Sequence, residues 1–122
     1  MFAVGPSNIV AAGEGLFAVV DVPAGTRIPY EGITKQTASL TPEEIEIALD
    51  VGKGLSIVGT GIAAKINDGL DVHPANCKWV VKGEGMFAKA FVEAAVDIPS
   101  SEELYIAYGD SYWKHFHARR AT

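Results

Sequence analysis

Apolar residues along the chain occur in short runs, and most runs are closed by Gly, Pro or Asp. Runs rich in β-branched and aromatic residues between such breakers predict strands joined by turns. The predicted strands are Leu16–Val20, Arg27–Tyr30, Ile33–Thr37, Leu55–Val58, Cys77–Lys82 and Met86–Val92. The last two are expected to form a hairpin about Gly83-Glu84-Gly85. The predicted fold class is therefore mostly β.

One helix start is clear. Thr41 is suited to the N-cap, Pro42 to the first helical position, and Glu44 to the third position of a capping box. Ile45, Ala48 and Leu49 would then share one face of the helix. The helix is expected to end before Gly52. Two weaker patterns follow: a helical turn or strand over Ile62–Ile66, and an alternating strand over Glu103–Tyr108.

Composition narrows the class of protein. The 122 residues suffice for one domain, and 48% hydrophobic residues predict a real core. The net charge of −5 argues against direct nucleic-acid binding. No apolar run approaches the roughly 18 residues of a membrane span, and the N-terminus lacks a basic signal-peptide region. The single cysteine, Cys77, excludes an internal disulfide framework, so an intracellular setting is expected.

Conventional catalytic and metal sites find little support. Cys77 and His73 lack a third group to orient them, as do Asp71 and His73. His115-x-His117 has no neighbouring His or Cys to complete a metal site, so no metal is expected. The Gly13-Glu14-Gly15 segment is not followed by the strand and helix of a dinucleotide-binding unit.

Three ordered segments carry more information together than apart. They are Gly13–Ala18 leading to Asp21-Val22-Pro23-Ala24-Gly25, Ile66–Gly69 followed by His73–Cys77, and Glu102–Asp110. In this order they resemble the SET domain of protein lysine methyltransferases, and Tyr30-Glu31-Gly32 matches that family's Y-x-G. The tail from Tyr108 to Trp113 is similar to that of the very small viral SET proteins.

The resemblance implies one SET domain over residues 1–122, with a core of about 12–113 and neither a pre-SET region nor a zinc post-SET region. The implied architecture is a β-clip of small curved sheets in which the C-terminal segment forms a pseudoknot. The implied reaction transfers a methyl group from S-adenosyl-L-methionine (AdoMet) to a lysine amine in a protein, with a histone tail as the family-typical substrate. A homodimer is also considered, because so small a domain has a limited core.

Site residues carry over by position. The resemblance implies Tyr108 and Tyr30 as catalytic. It implies cofactor contacts at Glu14, Gly15, Leu16, Asn67, Asp68 and Trp113. It implies substrate contacts at Trp79, Tyr112 and Tyr105. Asn67 is expected to donate and accept hydrogen bonds toward the cofactor, and Asn76 to tie the pseudoknot.

The chain departs from the family pattern in its middle motif. Asn67-Asp68-Gly69 stands where the family has N-H-S, and two extra residues precede Pro74. Two alternatives therefore remain open: a β-clip module that binds a peptide or AdoMet without methyl transfer, and a small-molecule N-methyltransferase.

Overall fold

The computed structural model describes residues 1–10, 12–70 and 72–108. Within these ranges the chain forms eight strands: β1 (Phe2–Pro6), β2 (Glu14–Ala18), β3 (Arg27–Pro29), β4 (Gly32–Gln36), β5 (Ala48–Gly52), β6 (Leu55–Gly59), β7 (Cys77–Lys82) and β8 (Lys89–Ala94). They make three small antiparallel sheets with the orders β1-β2, β3-β8-β7 and β4-β6-β5. One short α-helix, α1 (Pro42–Ile45), and short 3₁₀ turns connect them. The predicted mostly β class is confirmed.

The predicted hairpin is confirmed, but its second strand begins and ends later than predicted, at Lys89 and Ala94 instead of Met86 and Val92. β7 and β8 pair from Cys77↔Ala94 to Lys82↔Lys89. A 3₁₀ turn over Gly85–Phe87 lengthens the connection, so β8 begins at Lys89 rather than at Met86.

The helix begins as predicted but ends early. The Thr41 side chain accepts a hydrogen bond from the Glu44 amide, and the Glu44 carboxylate accepts one from the Thr41 amide, which completes the capping box. The helix nevertheless stops at Ile45, and Ala48–Gly52 forms β5 against β6. A helical face through Ala48 and Leu49 is therefore wrong. Cross-strand pairing with β6 outweighs the weak tendency of one helical turn to extend.

β1 carries no clear sequence signal, because Gly5 and Pro6 usually interrupt strands. It forms because every residue of Phe2–Pro6 faces a partner in β2.

The C-terminal segment holds separate parts of the chain together. It forms isolated bridges at Phe17↔Glu103, Asn67↔Tyr105 and Cys77↔Ile106. The Asn76 amide adds two bonds, donating to the Glu103 carbonyl at 3.0 Å and accepting from the Tyr105 amide at 2.8 Å. The segment is thus bonded to both ends of the 67–77 loop, and Asn76 has the tying contacts expected of it.

The core lies where these segments meet. Its large, fully buried apolar side chains include Leu16, Val22, Ile66, Val92, Ile98, Leu104 and Ile106. Leu104 and Ile106 share this core. The predicted alternating strand over Glu103–Tyr108 is wrong, because the segment forms isolated bridges and Glu103 and Tyr105 are buried as well. No helix within the described ranges is long and apolar enough to cross a membrane.

Candidate active site

Three of the predicted site aromatics line one narrow cavity of about 50 Å³. Tyr30 follows β3, Trp79 lies in β7, and Tyr108 ends the described C-terminal segment. The remaining walls come from two short stretches, Glu46–Leu49 and Ala63–Ile66. The topology therefore brings together residues that are far apart in the sequence, and it leaves a slender space with mainly apolar walls.

Tyr30 is held rigidly in the wall of this cavity. Its hydroxyl donates to the Ile47 carbonyl at 2.7 Å, and its ring meets Trp79 edge-to-face with centroids 5.2 Å apart. Burial raises the pKa of Tyr30 from 10.0 to about 12. The side chain is consequently a neutral phenol at physiological pH.

Tyr108 is bonded through both its side chain and its backbone to the segment Ile66–Asp68. Its hydroxyl donates to the Ile66 carbonyl at 2.5 Å, and its backbone amide donates to Asp68 Oδ2 at 2.9 Å. The adjacent Ala107 carbonyl accepts a hydrogen bond from Trp79 Nε1 at 3.1 Å. These bonds fix the position of Tyr108 relative to Trp79.

The two phenols share a chemical property that matters for ligand recognition. Each hydroxyl has one proton, and the protons of Tyr30 and Tyr108 are both given to main-chain carbonyls. Toward any further group, a hydroxyl in this state acts through its oxygen as an acceptor. A group bearing N–H protons would find two hydroxyl acceptors in this cavity, and among the described residues that line it Glu46 carries a charge.

Asn67 lies next to Ile66 in the chain but faces a different neighbour. Its amide nitrogen donates to the Glu14 carbonyl at 2.9 Å and to Glu103 Oε2 at 3.4 Å. Both amide protons are therefore used within the protein. With both protons so placed, the carbonyl oxygen Oδ1 is the part of this amide that can meet a ligand, and the predicted cofactor contact stays a prediction.

The donor and acceptor groups here fit one end of AdoMet. The Glu14 side chain is 60% exposed and pairs with Lys65 at 3.1 Å. The Glu14 carboxylate and Asn67 Oδ1 are acceptors, as an ammonium group such as that of the methionine moiety requires. Two further predicted contacts, Trp113 to the cofactor and Tyr112 to the substrate, lie outside the described residues.

Gly15 and Leu16 are both buried. Leu16 is 0% exposed and packs in the core. A Cβ atom at Gly15 would lie 2.3 Å from Glu103 Oε2, so the Glu103 carboxylate is sufficient reason for glycine at this position. The cofactor contacts that the resemblance implies for the two residues stay predictions.

Asp68 is bonded to the segment that carries Tyr108. Oδ1 accepts from the Leu70 amide at 2.8 Å, and Oδ2 accepts from the Tyr108 amide. The side chain therefore helps to hold Tyr108 in place, and its predicted cofactor contact stays a prediction. This contact also gives a physical reason for Asp at the position where the family has His.

Tyr105 lies outside the cavity. Its ring stacks on His73 with centroids 4.8 Å apart, and its hydroxyl donates to Glu103 Oε1 at 3.1 Å. Burial is the main reason that the pKa of Tyr105 is raised. Tyr105 therefore does not line the cavity that Tyr108 lines, and its predicted substrate contact stays a prediction.

Glu103 is the residue whose role sequence reasoning missed. It is 2% exposed, although glutamate is rarely buried so fully. The Glu102-Glu103 pair was visible as a motif, but nothing in the pattern distinguishes its buried member from its exposed one.

Comparison with known proteins places this geometry in context. No protein-family model and no curated protein matches the chain. Solved structures do match. A Plasmodium falciparum protein assigned as a histone methyltransferase aligns with a TM-score of 0.72 at 18% identity, over 92% of this chain and 96% of that one. The Chaetomium thermophilum polycomb repressive complex 2, in an autoinhibited conformation bound to S-adenosylmethionine, aligns with a TM-score of 0.74 at 22% identity.

The chain has the SET fold. The alignment with the autoinhibited polycomb structure covers 98% of this chain but only 17% of the other. The same complex in another crystal structure aligns with a TM-score of 0.74 at 22% identity, over 90% of this chain and 15% of that one. The chain thus spans about one sixth of the polycomb chains that it matches. At these identities the likeness establishes the fold alone.

Proposed function

We propose that this SET-fold chain transfers a methyl group from AdoMet to the side-chain amine of a lysine in a protein. The observation that carries the proposal is the narrow cavity in which Tyr30, Trp79 and Tyr108 meet. The solved relatives support a methyltransferase, since one is assigned as a histone methyltransferase and another is bound to S-adenosylmethionine.

The walls of the cavity suit an amine that must lose its charge before it reacts. A free lysine has a pKa of about 10.4, so its neutral form at pH 7 costs roughly 4–5 kcal/mol. Enclosure between Tyr30 and Trp79 disfavours the charged form by desolvation. The phenol oxygens of Tyr30 and Tyr108 accept N–H bonds from the neutral amine and orient its lone pair.

AdoMet, when bound, supplies a methyl group on a positively charged sulfur for an in-line displacement. The chain's own contribution is to bind the reacting amine, align it and exclude water from it. Alignment of this kind accounts for much of the acceleration in such reactions. Glu14 and Asn67 are the residues proposed to hold the ammonium end of the cofactor.

The proposed substrate is an exposed lysine of a basic peptide such as a histone tail. The net charge of −5 suits a basic partner. Direct nucleic-acid contact and membrane contact form no part of the proposal. A homodimer remains a prediction that the mass of the protein in solution will decide.

A second function has one observation in its favour. Both amide protons of Asn67 are engaged inside the protein, and Asp68 stands where the family has His. A module that binds a peptide without methyl transfer would tolerate both features.

Calorimetry with AdoMet and a labelled-methyl assay on mixed histones and cell lysate distinguish the two. The proposal expects cofactor binding and label on protein lysine. Binding of AdoMet with no label on any protein would favour the binding module, and label on free lysine alone would identify a small-molecule enzyme.

A further inference from the structure

Glu103 is a buried carboxylate that collects donors from three parts of the chain. Oε1 accepts from the Asn8 amide at 2.7 Å and from the Tyr105 hydroxyl at 3.1 Å. Oε2 accepts from the Ser7 hydroxyl at 2.6 Å and from Asn67 Nδ2 at 3.4 Å. A buried carboxylate is costly unless such bonds compensate it, so a position with this many donors is a specific feature of the fold.

The absence of a side chain at Gly15 leaves the space that the Glu103 carboxylate occupies. Any side chain at Gly15 would overlap Glu103 Oε2, and its Cβ would also lie 3.3 Å from the Ser7 Cβ. The carbonyl of Glu14, the neighbour of Gly15, accepts a hydrogen bond from the Asn67 amide. The segment proposed to bind the cofactor is therefore packed directly on the Glu103 carboxylate.

The bond to Asn67 determines which way its amide faces. Oε2 of a carboxylate only accepts, so it selects the Nδ2 end of the Asn67 amide. The Glu14 carbonyl selects the same end. Oδ1 must then face away from both acceptors. In the absence of Glu103, one of these two constraints on the amide would be lost.

We propose that Glu103 is a positioning residue of the cofactor site, which holds the Asn67 amide with Oδ1 presented to the ammonium group of AdoMet. The inference rests on the proposed function for the identity of the ligand. Glu103 itself does not contact the cofactor and acts through Asn67.

The test uses the full chain and two coupled substitutions. Glu103→Gln keeps the shape of the side chain but offers one acceptor fewer, and Asn67→Asp places a second carboxylate against Glu103. The double variant restores a donor opposite an acceptor, because the amide introduced by Glu103→Gln can donate to the carboxylate introduced by Asn67→Asp. Glu102→Gln is the matched control, since Glu102 is an exposed carboxylate on the same segment.

AdoMet affinity is measured by calorimetry, and folding by urea unfolding of the same samples. We expect Glu103→Gln to weaken AdoMet binding about tenfold and Asn67→Asp to weaken it further. The double variant should bind AdoMet more tightly than Asn67→Asp alone, and Glu102→Gln should bind like the wild type. Recovery of affinity in the double variant, with no greater free energy of unfolding than Asn67→Asp alone, is a result that a merely structural role would not produce.

Additive effects of the two substitutions on affinity, or an unchanged affinity in Glu103→Gln, would overturn the inference. A second measurement covers the case in which Glu103→Gln unfolds. The side-chain amide signal of Asn67, identified by its loss in Asn67→Asp, should then shift in Ser7→Ala, which loosens the same carboxylate. An unmoved signal would also overturn the inference. A wild type that binds AdoMet but transfers no methyl would refute the proposed function and leave this inference to be decided by the affinities.

Discussion

Replacement of Tyr108 by Phe separates positioning of the amine from binding of the cofactor. The substitution removes the hydroxyl, whose O–H donates to the Ile66 carbonyl, and retains the ring that lines the cavity. The backbone bond from residue 108 to Asp68 is unaffected, because it involves only the main-chain amide. The wall therefore stays in place while one acceptor for the substrate amine disappears.

The expected magnitudes follow from that single bond. Loss of one partly buried hydrogen bond costs about 1 kcal/mol of the free energy of unfolding, and more if the Ile66 carbonyl finds no water. Misalignment of a reacting group lowers kcat about a hundredfold, which corresponds to roughly 2.7 kcal/mol in the barrier. Affinity for AdoMet should be unchanged, since the residues proposed to hold it are Glu14 and Asn67.

The assay compares initial rates at saturating substrate with AdoMet affinity and urea unfolding. Ser56→Ala is the matched control. It removes a hydroxyl that is 1% exposed and bonded to Thr37 at 2.7 Å, on a side chain that does not line the cavity. The control should lose stability but keep its rate. A rate loss in Tyr108→Phe no larger than that in Ser56→Ala, or an equal loss of AdoMet affinity, would refute the assigned role.

Four further outcomes are expected. Asn67→Ala should weaken AdoMet binding in calorimetry while the protein stays folded, and an unchanged affinity would contradict its assignment. The Cys77 thiol, whose pKa burial raises to about 12, should resist iodoacetamide until urea unfolds the chain; rapid labelling of native protein would count against this burial. Because the folded pKa of Tyr30 lies above its ordinary value of 10.0, its contribution to stability should persist below pH 10 and decline as the pH rises toward 12. The difference in unfolding free energy between wild type and Tyr30→Phe measures this, and a decline beginning near neutral pH would contradict it. Gly59→Ala should slow methyl transfer, because the new Cβ would lie 2.7 Å from the Tyr30 hydroxyl, and an unchanged rate would show that the wall yields.

Much of the sheet structure was predictable because its signals are local. The breakers Gly83 and Gly85 lie in the connection between two strands that pair with each other, and the capping box at Thr41 depends on residues within one turn. β1 and β5 were not predictable in this way. Each is stabilised by a partner strand whose position the local pattern does not contain.

In the candidate site, too, some features have sequence signals and others depend on distant partners. Motif order assigned Tyr30, Trp79 and Tyr108 to the catalytic and substrate site, and the three side chains line one cavity. It could not indicate which residues hold others in place. Gly15, Asp68 and Glu103 make contacts of this kind, which depend on backbone amides and carboxylates that meet only in three dimensions.

The central claim is that a lysine side chain enters the cavity and meets the cofactor's sulfur at its inner end. A crystal structure of the full chain with S-adenosylhomocysteine and a lysine-containing histone peptide tests it most directly. We predict that the lysine nitrogen lies beside the hydroxyls of Tyr30 and Tyr108, with the sulfur beyond it and the cofactor's ammonium group on Asn67 Oδ1. A peptide bound elsewhere, or a cofactor whose sulfur has no opening to this cavity, would contradict it.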